Sequence, residues 1–133
     1  MTQDAVCKSI LVVEDERSIR ETLILLLETE GYFVVGAVNG QDALNKLEGL
    51  AHPCMVITDL MMPEMNGWEF ITAMKKNHIL ATIPVVVITA AGDTSSSSNR
   101  KQVKELIKKP MDIDVLLRAV HQYCGLPTNT KST

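Results

Sequence analysis

Two adjacent carboxylates, Glu14 and Asp15, follow the apolar run Ile10-Leu11-Val12-Val13, and a third, Asp59, closes another apolar run over 54–58. Thr89 ends Val85-Val86-Val87-Ile88, and Lys109 stands just before Pro110. Three carboxylates crowded together repel one another and raise at least one pKa. A divalent cation relieves that repulsion. An oxygen-only set without neighbouring His or Cys selects a hard ion, and Mg2+ prefers one or two carboxylates plus water and phosphate oxygens. Such a cluster suits phosphoryl transfer. A carboxylate can act as nucleophile and form an aspartyl-phosphate, and the transfer needs little from a protein beyond in-line placement and charge neutralisation. The chemistry gives the metal to Glu14 and Asp15, attack on phosphorus to Asp59, a mobile positive charge to Lys109 and a donated hydroxyl to Thr89.

These residues act together only if the chain gathers them. Short apolar runs alternate with longer helical patterns, which predicts strands over 10–13, 32–38, 54–58, 85–89 and 103–107. Helices are expected over 18–30, from Ala43 through Leu47 to Gly49, over 68–76 and over 112–124. Gly31, Asn39-Gly40, Pro63 and Asn66-Gly67 punctuate them, and Asp112 is placed to cap the last helix. Strands alternating with helices imply βαβ crossovers and a parallel sheet covered on both faces. Ligands in such sheets bind beyond the carboxyl ends of the strands, where all these polar residues stand. The charged 103–107 segment reads as an edge strand. The serine run 95–98 is poor helix material, because serine hydroxyls compete for backbone hydrogen bonds.

Singly, each residue has an ordinary reading. Glu14-Asp15 suits a solvated turn, Asp59 a loop start or helix cap, Thr89 a strand, and Lys109 a surface charge. Their order and spacing tip the balance. The chain resembles the receiver domain of two-component response regulators. The resemblance rests on Ile10 to Glu16, on the Asp-x-x-Met-Pro-x-Met-x-Gly segment from Asp59 to Gly67, on Val87-Ile88-Thr89-Ala90 and on Lys108-Lys109-Pro110. It implies an α/β fold, a (βα)5 doubly wound parallel five-stranded sheet of order 2-1-3-4-5. It implies Asp59 as phospho-acceptor, Asp15 as direct and Glu14 as neighbouring Mg2+ ligand, and the Met61 backbone carbonyl completing the metal shell. Thr89 and Lys109 match the family's switch hydroxyl and lysine, and a cis Lys109-Pro110 bond is expected.

The pattern departs from the family in one region. Leu106 stands where an aromatic switch residue is common, and Lys101-Gln102-Val103 replaces a small Gly-Ala pair. With the serine run, this predicts an irregular or shortened fourth helix and an unusual readout through Thr89 and Leu106. Met61 and Ala91, two positions after Asp59 and Thr89, cannot orient an attacking water by hydrogen bonding, so spontaneous dephosphorylation is not expected to be fast unless a partner helps. Trp68, beside the site, reads as packing.

Composition narrows the rest. The chain has 133 residues and 46 % hydrophobic content, enough for one domain. The expected division is an N-terminal tail over 1–7, a receiver over 8–124, and a flexible tail or start of a linker over 125–133. A net charge of −3 gives no reason to expect nucleic-acid or membrane-surface binding. No run approaches the ~20 apolar residues of a membrane span, and the N-terminus lacks a signal-peptide pattern. Cys7, Cys54 and Cys124 form an odd set without metal spacing. Cys54 reads as a buried thiol, and unpaired cysteines suit a cytoplasmic location. His52, His78 and His121 show no ligand spacing. The expected partner is a histidine kinase or histidine phosphotransfer protein, with a downstream protein or fused output domain unspecified. Two alternatives remain: a degenerate receiver serving as a protein-binding module, and an aspartate-nucleophile phosphatase. The phosphatase normally needs a carboxylate where Met61 stands.

Overall fold

The computed structural model describes residues 9–49, 53–62, 64–90 and 101–125. Five parallel strands form one sheet in the order β2-β1-β3-β4-β5. They are β1 (Ser9–Val13), β2 (Phe33–Ala37), β3 (Met55–Asp59), β4 (Val85–Thr89) and β5 (Glu105–Lys108). The helices among the described residues are α1 (Arg17–Thr29), α2 (Gly40–Gly49), α3 (Gly67–Lys75) and α4 (Ile113–Cys124), with a 3-10 turn at Leu80–Thr82. The fold class and strand order are those the family resemblance implies. The expected irregular fourth helix and the serine run fall on 91–100, outside the described residues, as do 1–8 and 126–133.

Alternation along the strands builds two cores, because successive side chains leave a strand on opposite faces. Ile10, Val12, Met55, Ile57, Val86 and Ile88 join Leu23 and Leu27 of α1 and Leu116, Ala119 and Val120 of α4 on one face. Leu11, Val13, Val56, Val85 and Val87 join α2 and α3 residues such as Leu47, Phe70, Ile71 and Met74 on the other. All five residues of β3 and of β4 are buried, as expected for central strands covered on both sides.

Local chemistry sets the helix starts. Asn66 accepts from the Glu69 backbone N–H while Glu69 accepts from the Asn66 N–H, a capping box that opens α3. Asp112 accepts from the Asp114 and Val115 amides and caps α4 as expected. At its far end, the Tyr32 hydroxyl donates to the Gly125 carbonyl at 2.6 Å. Burial, with the Glu30 charge adding, pushes the Tyr32 phenol up to about 12, so it stays a donor.

Two expectations need correction. The last strand runs Glu105–Lys108 rather than over 103–107, because its register pairs Glu105 with Val86 and Lys108 with Thr89. Val103 is buried and precedes the ladder, so its apolar character reflects packing. The thiol reading of Cys54 is also overturned. Cys54 and Cys124 are disulfide-bonded, with Cα atoms 5.3 Å apart across a sequence separation of 70. That distance in sequence hides the pairing until the sheet and α4 are assembled.

Candidate acidic phosphoryl-transfer site

Each site residue stands at or just beyond the carboxyl end of a strand. Glu14 directly follows β1, and its backbone N–H donates to the Ala37 carbonyl of β2 at 3.0 Å. Asp59 and Thr89 are the last residues of β3 and β4, and Lys109 directly follows β5. The Lys109 N–H donates to the Thr89 carbonyl at 2.8 Å, which ties two of these ends together. The Lys109-Pro110 bond is cis, as expected. Glu14, Asp59 and Thr89 are buried, whereas Asp15 is exposed.

The fold brings the three carboxylates together: oxygens of Glu14, Asp15 and Asp59 lie within 4.8 Å of one another. Lys109 Nζ sits 3.6 Å from Glu14 Oε1 and 3.5 Å from Asp59 Oδ2. The second oxygen of Asp59 accepts backbone N–H groups from Leu60 at 2.7 Å and Met61 at 3.4 Å. The carboxylate is thus held on one side by amides and faces a cation on the other. Glu14 Oε2 accepts from the Glu16 N–H at 3.1 Å. Burial nonetheless pushes the Glu14 carboxyl up to about 7, with the Asp59 charge adding and the Glu16 N–H and Lys109 opposing. Two buried carboxylates and an exposed third, with Lys109 the lysine beside them among the described residues, fit a hard divalent cation, which would offset both desolvation and mutual repulsion.

Two supporting contacts go beyond the sequence reading. Arg20 on α1 donates through Nη1 to the Glu14 carbonyl at 2.9 Å, holding the acidic turn. It crosses β2 at Gly36, where an added Cβ would stand 3.3 Å from Arg20 Cδ. Gly67 starts α3 against the end of β3, and its N–H donates to the Leu60 carbonyl at 2.9 Å. Its place in the loop motif was visible, but not that a side chain there would meet the Asp59 carbonyl.

Met61 has an exposed side chain (73 %), and its amide turns toward Asp59. Leu106 is half-buried and packs with Val87 on the α2–α3 face of the sheet. By strand alternation Thr89 projects from that same face, two residues further along β4 than Val87. Trp68 packs against the same core. Ala91 lies outside the described residues.

The sequence model of the response regulator receiver domain matches residues 10–121. The chain belongs to this family. Among curated relatives, this receiver is 37 % identical over 117 residues to "Response regulator RR06" of Streptococcus pneumoniae, covering 84 % of the present chain and 51 % of that protein. The chain therefore spans about half the length of that relative. It is 34 % identical to "Sporulation initiation phosphotransferase F" of Bacillus subtilis, covering 92 % of this chain and 98 % of that one. A receiver protein crystal structure from Pseudomonas putida superposes with a TM-score of 0.82 at 28 % identity, covering 88 % of this chain and 98 % of the other. The protein is thus a receiver domain of the kind used by response regulators in two-component signalling. No helix among the described residues is long and apolar enough to cross a membrane.

Proposed function

We propose that this receiver is a phosphorylation switch in which Asp59 accepts a phosphoryl group from a phosphohistidine on a histidine kinase or histidine phosphotransfer protein. The observation that carries this reading is the placement of Asp59: buried, oriented by two amides, 3.5 Å from Lys109 and grouped with Glu14 and Asp15. Asp15, Glu14, Asp59 and the Met61 carbonyl would hold Mg2+, whose charge would offset that of the incoming phosphoryl oxygens. The backbone N–H groups of Leu60 and Met61 fix the Asp59 carboxylate for in-line attack. Lys109 neutralises charge on a phosphoryl oxygen, and Thr89 donates its hydroxyl to another. The added charge of about −1.5 to −2 then biases the Thr89–Leu106 face of the sheet.

A cleft of about 340 Å3 adjoins the site between α1 and the residues after β5. Its walls include Ile19, Leu23, Pro110 and Met111, with Glu14 and Lys109 at its edge. It offers a donor protein an apolar foothold beside Asp59. The mixed charge and the family suit a cytoplasmic signalling protein rather than a catalyst of turnover.

Incubation with acetyl phosphate tests the reading. Labelling should need Mg2+ and vanish in Asp59→Asn. Absence of labelling at millimolar Mg2+ would falsify it and favour a protein-binding module.

A further inference from the structure

Strand β3 carries Asp59 at one end and is preceded at the other by Cys54, which is bonded to Cys124 in the last turn of α4. The bond lies at the opposite end of the sheet from the acidic cluster and shares no residue with it. We propose that Cys54 and Cys124 form a reversible redox site, a thiol–disulfide lock fastening the end of α4 to the start of β3. Low-molecular-weight thiols and disulfides of the glutathione class open and close it by exchange.

Three observations carry this. The Cα separation of 5.3 Å falls inside the range a disulfide spans, so closing the bond needs no backbone movement. The dithiol form is equally well housed. Cys124 belongs to the α1–α4 core and Cys54 packs against it, and thiols pack as small apolar groups. The Ser9 carbonyl lies 2.9 Å from Cys54 Sγ, ready to accept its S–H in the open form. Leu116, Ala119, Val120 and the Tyr32–Gly125 hydrogen bond still hold α4 when the bond is broken. Finally, the two sulfurs differ in access. Cys54 is half-buried, while Cys124 is 5 % exposed.

Opening therefore starts at Cys54. A small thiolate attacks Cys54 Sγ and forms a mixed disulfide as the Cys54–Cys124 bond breaks. Cys124 leaves as thiolate and takes up a proton. A second thiolate attacks the small-molecule sulfur of the mixed disulfide, releasing Cys54 as thiolate, which is protonated in turn. The net reaction reduces the protein disulfide with two small thiols and yields one small-molecule disulfide. Closure is the reverse, with that disulfide as oxidant. The closed form holds the last turn of α4, where the Gly125 N–H donates to the His121 carbonyl.

The test equilibrates the full chain across ratios of reduced to oxidised glutathione, quenches exchange in acid, tags free thiols with a maleimide mass tag in denaturant and follows amide exchange over 113–125. Cys54 and Cys124 should lose and regain the tag together, with a midpoint inside the glutathione range. Exchange in the last turn of α4 should be about tenfold slower in the bonded form. Tagging of both cysteines at every ratio overturns the proposal. So does a bond that survives the most reducing buffer, or exchange that does not change. Cys7→Ser should leave the midpoint in place, and a midpoint lost with Cys7 overturns the assignment of the pair. In Cys54→Ser, Cys124 should stay taggable throughout; protection there also counts against it. None of these readouts depends on phosphorylation of Asp59.

Discussion

Lys109 Nζ approaches Asp59 Oδ2 to 3.5 Å, and it does so from the end of the edge strand, across β4. The same ammonium serves Glu14 at 3.6 Å, so one mobile charge balances two buried carboxylates. Removing it leaves the site without its cation. Lys109→Ala should slow labelling by acetyl phosphate in Mg2+ by about 100-fold, the scale seen when one group that stabilises a developing charge is lost. Labelling at the unmodified rate would remove Lys109 from the chemistry.

Glu14 gives a pH signature. Its carboxyl is raised from 4.5 to about 7 in the folded, metal-free protein. The folded state therefore binds more protons than the unfolded state between those values, and stability falls as pH rises through that window. The full effect is about 3 kcal/mol at most. Urea unfolding in chelator should show this fall between pH 4.5 and 7. Glu14→Gln should flatten it, and millimolar Mg2+ should oppose it. A flat profile for the unaltered protein would contradict the burial argument.

At Gly67 an added Cβ meets the Asp59 carbonyl and lies 2.8 Å from Leu60 Cα, both backbone atoms that cannot swing aside. Gly67→Ala should cost about 1–3 kcal/mol and also slow labelling, because relief requires the end of β3 to shift. Thermal unfolding and labelling rates should change together. An unaltered melting temperature would show that the contact relaxes freely.

The side chain of Met61 is exposed and carries no group that orients a water for attack. The phosphorylated protein, isolated in Mg2+, should hold its label for minutes or longer. Met61→Asn should shorten that time by offering a hydrogen bond to water. A half-life of seconds in the unaltered protein would exclude this account.

Much of the site was legible because parallel strands deliver their ends to one edge. Glu14, Asp59 and Thr89 could each be placed from the apolar run before them, and Lys109 from its place before Pro110 in the family motif. Arg20 was not, since its contact is with a backbone carbonyl and leaves no pattern of paired charges. The start of β5 was misplaced because Val103 is apolar for packing, while Glu105 and Lys108 pair despite their charge. The Cys54–Cys124 bond depends on closure of the whole fold, so residue spacing alone carried no sign of it.

The register of β3 has a consequence for which folded forms can exist. Its residues pair with β1 on one side and β4 on the other, and they feed the two cores alternately. A slip by one residue would exchange every side chain between the cores and turn Asp59 to the wrong face. The same slip would set Met55 and Ile57 among the partners of Val56. The two cores therefore act as a proofreading device for the acidic end of the sheet. A chain with Asp59 out of place has also lost its packing, so misassembled copies are selected against by their own instability and do not persist as folded but silent molecules.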